Sequence, residues 1–148
     1  MNAAVRESGD MLALMSQIRI KDAAQYLGVS DDTVRRWIDN GSLASEKDDS
    51  GRTVVDGLTL AQLARKNAVL PDDPSDVARS ARNRFVGLVT AITMDTVMAQ
   101  VELQCGPHRV VSLMSSEAVT DLGLELGSVA VAVVKATMVI VEAPLGKA

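Results

Sequence analysis

The chain has 148 residues, a net charge of −4, 47% apolar residues and only 2% aromatic ones. That length allows one domain or two small ones, and any core must be aliphatic. A single cysteine, Cys105, and a single histidine, His108, exclude an internal disulfide framework and a thiolate zinc centre, and the acidic balance argues against a nucleic-acid-coating role.

Residues 1–17 read as a flexible arm. Met11 to Met15 is a short apolar patch preceded by Glu7 and Asp10 rather than by a basic stretch, so no secretory signal is expected. No apolar run is long enough to span a bilayer, and a cytoplasmic setting without membrane contact follows as the expectation.

Residues 18–66 form a first module. Ile20, Ala23, Ala24 and Leu27 recur at helical spacing, and Gly28 ends that helix. Ser30 caps the next, Asp31 and Asp32 suit its positive end, and Val34, Trp37 and Ile38 share one face up to Asn40-Gly41. Ala24 lets two helices cross closely while Val29 plugs the corner, which is the spacing of a helix-turn-helix. Leu43 to Lys47 and Arg52 to Val55 flank Asp48-Asp49-Ser50-Gly51, a hairpin with its turn. A short helix, Leu58 to Arg65, turns Leu60 and Leu63 inward. Helix, turn, helix, hairpin wing and helix in this order resembles the winged-helix domain of the MerR and excisionase group. The resemblance implies that the helix from Asp31 to Asp39 enters the major groove of a double-stranded DNA operator. Thr33, Arg35 and Arg36 would make the groove contacts, with Lys47 and Arg52 on the backbone. Acids and bases are equal in number across residues 18–66. One copy should therefore bind DNA weakly, and useful affinity needs two or more copies on one operator.

Residues 67–78, with Pro71, Pro74, Asp72, Asp73 and Asp76, read as a linker. Residues 79–142 form a second module rich in valine and threonine. Phe85 to Ile92, Val97 to Leu103, Arg109 to Met114, Val129 to Lys135 and Met138 to Val141 alternate as strands. Ser116 to Leu122 is a short helix stopped by Gly123. The expected fold is thus α+β in two domains: a winged helix-turn-helix, then an OB-like five-stranded β-barrel.

Three pieces of the second module occur in a telling order: Ser80-Ala81-Arg82-Asn83, the helix ending in Asp121-Leu122-Gly123-Leu124, and Lys135-Ala136-Thr137 before the last strand. The ordered set resembles the molbindin (Mop/TOBE) domain, a small barrel that binds molybdate. The resemblance implies an oxyanion, molybdate or tungstate, held between subunits of a homo-oligomer assembled through the barrels. By motif position, Ser80, Ala81, Arg82 and Asn83 come from one side. Ser115, the backbone near Ala118, and Lys135, Ala136 and Thr137 form the rest. Molybdate is a tetrahedral dianion that needs donors and no acceptors, which hydroxyls, amides, Arg82 and Lys135 provide. Where many members of the family carry a second hydroxyl, this chain has Ala118.

No Walker-type phosphate loop and no nucleophile motif occurs, so an enzyme is not expected. Two readings stand: a molybdate-responsive DNA-binding transcriptional regulator, or an intracellular molybdate or tungstate store. An excisionase-like architectural DNA binder is a third.

Overall fold

The computed structural model describes residues 17–144. The expected arm and the Met11–Met15 patch lie outside these residues, apart from Gln17. Contacts divide the chain into two units between Leu70 and Pro71.

The first unit runs β1 (Gln17–Arg19), α1 (Ile20–Leu27), α2 (Asp31–Asp39), β2 (Ser45–Lys47), β3 (Thr53–Asp56) and α3 (Gly57–Asn67). Gly28 ends α1 in the left-handed region at φ 66°, where a side chain would be strained. Two residues later the Ser30 side chain accepts from the Thr33 amide and starts α2. The aliphatic core gathers Ile20, Ala23, Ala24, Val34, Leu43, Val55 and Leu60, with Trp37, Ile38 and Leu63 packed against it. β1 is an unforeseen element: its three residues pair antiparallel with β3 from Gln17 opposite Asp56 to Arg19 opposite Val54. The hairpin thereby becomes a three-stranded sheet in the order β1-β3-β2.

The second unit runs β4 (Asn83–Met94), β5 (Met98–Cys105), β6 (His108–Ser115), α4 (Ser116–Asp121) and β7 (Val129–Val134), then a 3-10 turn at Ala136–Met138. Its sheet order is β6-β5-β4-β7, antiparallel throughout. Val89, Ala99, Val101, Leu103, Cys105 and Val119 form the core. Residues of both edge strands, among them Met114 of β6 and Val131 of β7, line one apolar hollow of about 520 Å³, so the sheet curls as an open half-barrel.

The expected five-stranded barrel is corrected here to four strands among the described residues. Met138 to Val141 is not a strand. The 3-10 turn redirects the chain directly after β7, and β4 already has β5 and β7 on its two sides. Ile140 and Val141 are left 85% and 87% exposed.

Candidate functional site

β4 and β7 bring two of the three motif pieces together. Asn83, the first residue of β4, pairs with Val134, the last of β7. The Asn83 side-chain amide also donates to the Val134 carbonyl at 3.2 Å. Ser80-Ala81-Arg82 and Lys135-Ala136-Thr137 therefore leave the same end of the sheet side by side. Arg82 and Lys135 are exposed and make no ion pair with any other described residue. Lys135 precedes the 3-10 turn, whose first amides have no acceptor inside the turn.

The third piece lies elsewhere. Ser115 ends β6 opposite Met98, which is level with the far end of β4, where Met94 faces Ala99. Between Asn83 and Met94 runs roughly 35 Å of strand at about 3.3 Å per residue. Within one chain, Ser115 and Ala118 do not reach the Arg82–Lys135 end. The Ser115 hydroxyl accepts from the Ala118 amide at 3.1 Å and caps α4. That amide is consumed, but the hydroxyl proton remains free to donate.

Residues 79–141 match the TOBE domain family, and residues 18–68 match a helix-turn-helix domain family. Molybdenum-pterin-binding protein 3 of Clostridium pasteurianum is 38% identical over 63 residues, which are 42% of this chain and 93% of that protein. The chain belongs to the TOBE family. Among solved structures, MopII from Clostridium pasteurianum in an apo form is 36% identical, over 45% of this chain and all of its own, with a TM-score of 0.42. The cytoplasmic molybdate-binding protein ModG, solved with molybdate bound, is 40% identical over 43% of this chain, with a TM-score of 0.41; the match spans 46% of ModG's own length.

The TOBE unit also holds residues that composition hides. Asp73, in the expected linker, accepts from Arg84 Nε at 2.8 Å and lies 3.2 Å from the Arg79 guanidinium. Ser75 donates to the same carboxylate through its amide at 2.8 Å and its hydroxyl at 2.5 Å, and Arg84 donates to the Ser75 hydroxyl at 2.6 Å. Arg84 first, then Ser75 and Arg79, hold the Asp73 carboxyl far below the usual carboxylate range. Part of residues 67–78 is thus fastened to the TOBE unit. The Asp-x-Ser spacing of an Asx turn was the available signal.

In the helix-turn-helix unit, α2 turns Asp32, Arg35, Arg36 and Asp39 outward. None of the four forms an ion pair among the described residues, although Asp32–Arg36 and Arg35–Asp39 have the spacing for one. Arg35 borders a shallow cleft of about 410 Å³ that faces Glu46, Lys47 and Thr53 of the hairpin. The other sequence candidates are engaged. Thr33 shares a hydrogen bond with Ser30 at 2.9 Å, Lys47 donates to the Thr53 hydroxyl at 2.7 Å, and Arg52 pairs with Asp48 at 3.3 Å. Cys105, paired with His108 across the turn after β5, is buried in the core with its thiol 3.7 Å from the Phe85 carbonyl, and burial pushes that thiol up. Among the described residues no cluster of His, Cys, Asp or Glu could hold a metal ion, and no helix is long and apolar enough to cross a membrane.

Proposed function

We propose that the chain is a molybdate-responsive, DNA-binding regulator in which molybdate or tungstate is bound between TOBE units of two copies. The observation that carries this reading is the split of the motif: Ser80–Asn83 and Lys135–Thr137 meet at the Asn83–Val134 end, while Ser115 sits at the other. A second copy can present its Ser115 end to the Arg82–Lys135 end of the first, completing a donor-only pocket. Such a pocket suits a tetrahedral dianion and disfavours hydrogen phosphate, whose proton would find no acceptor. ModG's name supports molybdate and a cytoplasmic setting, and the name of the Clostridium pasteurianum relative supports a molybdenum ligand.

The helix-turn-helix unit gives the ligand something to control. Arg35 and Arg36 are the unpaired cations of α2 and serve the DNA contact, to guanine edges or to phosphate. Oxyanion binding at the subunit contact then changes how two such helices meet one operator, which is a coupling free energy between two sites. The test is an operator titration with and without molybdate, with native mass spectrometry counting copies and ligands. A change in operator affinity of fivefold or more with bound molybdate is the expected result on the usual scale of such couplings. Equal affinity with no molybdate retained overturns it.

Storage is the second reading. It is favoured by the balanced charge of residues 18–66 and by the internal engagement of Lys47 and Arg52. Arg35→Ala with Arg36→Ala separates the two. A regulator loses its operator and keeps its ligand, whereas a store has no operator complex to lose.

A further inference from the structure

The four residues Ser80 to Asn83 are bracketed by Arg79 and Arg84, and both arginines are bound to one carboxylate. Asp73 Oδ2 takes Arg84 Nε at 2.8 Å and the Arg79 guanidinium at 3.2 Å, while Asp73 Oδ1 takes the Ser75 amide and hydroxyl. The Arg79 guanidinium also donates to the Ser75 carbonyl at 2.9 Å. Asp73 and Arg84 are 14% and 16% exposed at their side chains, so this is a built cluster rather than a surface pair. We propose that Asp73 is a resident anion of the oxyanion site, and that a tetrahedral dianion bound at Ser80–Asn83 competes with its carboxylate for Arg84 and Arg79 and so releases the segment that Asp73 anchors. This rests on the oxyanion reading above and adds Arg84 and Arg79 to its ligand set.

The chemistry of exchange is balanced. A guanidinium fork matches a carboxylate and a tetrahedral oxyanion equally well in shape. The dianion brings twice the charge and four acceptor oxygens against two. Held within a few residues of one another, the carboxylate and the dianion repel, so the two states exclude each other. Release also lengthens the tether to α3, which ends at Asn67. With Asp73 bound, residues 68–72 are unanchored; without it, the free stretch reaches Ala78. On flexible-chain scaling the span rises from about 12 Å to about 18 Å. A longer tether changes the effective concentration at which a second helix-turn-helix unit meets the same operator.

The test uses the full chain, isothermal titration with molybdate, and amide hydrogen exchange over residues 72–78. Competition predicts opposite signs for two variants that break the same contact. Asp73→Asn tightens molybdate binding, about tenfold on the usual scale of coupled sites. It keeps the Ser75 hydrogen bonds through its amide oxygen, so the fold is retained, as a thermal melt will show. Arg84→Gln weakens binding by a similar factor. In the wild type, saturating molybdate speeds exchange across residues 72–78, and equal concentrations of sodium chloride do not. If both variants weaken binding, the cluster only shapes the loop and the proposal is overturned. If molybdate binds the wild type and exchange stays unchanged, it is overturned too, with the oxyanion reading intact. If no molybdate binds the wild type at all, the oxyanion reading falls and takes this proposal with it.

Discussion

Gly87 occupies a position where a side chain has no room. A Cβ there would lie 2.5 Å from both Cys105 Sγ and the Gln104 carbonyl oxygen. The sulfur belongs to a core residue and the oxygen to backbone, so neither moves cheaply. Gly87→Ala is expected to destabilise the TOBE unit by about 1–3 kcal/mol. In a thermal melt each kcal/mol lowers the midpoint by roughly 4–8 °C for a domain of this size. An unchanged melt refutes the contact. The sequence shows a glycine in a strand but not what crosses it, because the partner is 18 positions away across β4 and β5. Asp73 was hidden for the same reason. Its composition reads as linker, and its partner Arg84 lies beyond the segment. Its folded carboxyl is depressed, first by Arg84. A depressed carboxyl adds stability above its unfolded value, about 3.9, and loses it as the pH falls through the folded one. Asp73→Asn should therefore flatten the acid limb of the stability–pH curve below about pH 4 and leave it unchanged near neutrality in shape. A variant curve parallel to wild type down to pH 2 would refute that role.

At the scale of elements, local signals were enough where they were complete. Gly28 and Ser30 bound the two helices of the first unit, and the structure stops α1 at Leu27 and starts α2 at Asp31. Gly51 marks the hairpin turn, where Asp48 accepts from the Ser50 and Arg52 amides. β1 was not legible, since three residues carry no periodicity and exist only through pairing with β3. The fifth strand failed in the opposite way. Its alternation is sound, but the 3-10 turn at Ala136–Met138 interrupts it, and among the described residues Met138 to Val141 pairs with neither free sheet edge. The cap of α4 gives a prediction that separates two roles of one side chain. Ser115 is an acceptor toward Ala118 and a free donor. Ser115→Asp keeps the acceptor and a strong N-cap residue, so stability should stay within about 0.5 kcal/mol. It removes the donor and adds a negative charge, so molybdate binding should be lost in titration calorimetry. Ser115→Ala instead costs about 1 kcal/mol in unfolding, through loss of the cap. Retained binding in Ser115→Asp would remove this residue from the pocket.

At the scale of the whole molecule, the open half-barrel and the split of the proposed ligand set point to the same missing party. Among the described residues β6 and β7 each present an unpaired edge, and together they border an apolar hollow. Exposed main-chain donors and acceptors of this kind are what natural sheets avoid leaving uncovered. Val139, Ile140 and Val141 meanwhile stand exposed beside the Lys135–Thr137 donors. On the proposed reading a second copy would cover both needs at once, and it would carry the Ser115 end that the first copy's Arg82–Lys135 end lacks. Ile140→Asp tests this union. At a site 85% exposed in the single chain, a charge should change the chain's own folding little, within about 0.5 kcal/mol. Buried against a second copy, it is an unpaired charge in an apolar contact, which costs several kcal/mol. Native mass spectrometry should then find the variant as monomer and the wild type as an oligomer. Titration calorimetry should find molybdate binding lost in step, because half of the donor set has left. A variant that stays assembled and keeps its ligand would show that the contact between copies lies elsewhere on the TOBE unit. A monomer that still binds molybdate at full strength would show that one chain supplies the whole pocket, against the separation of Asn83 from Ser115 along β4.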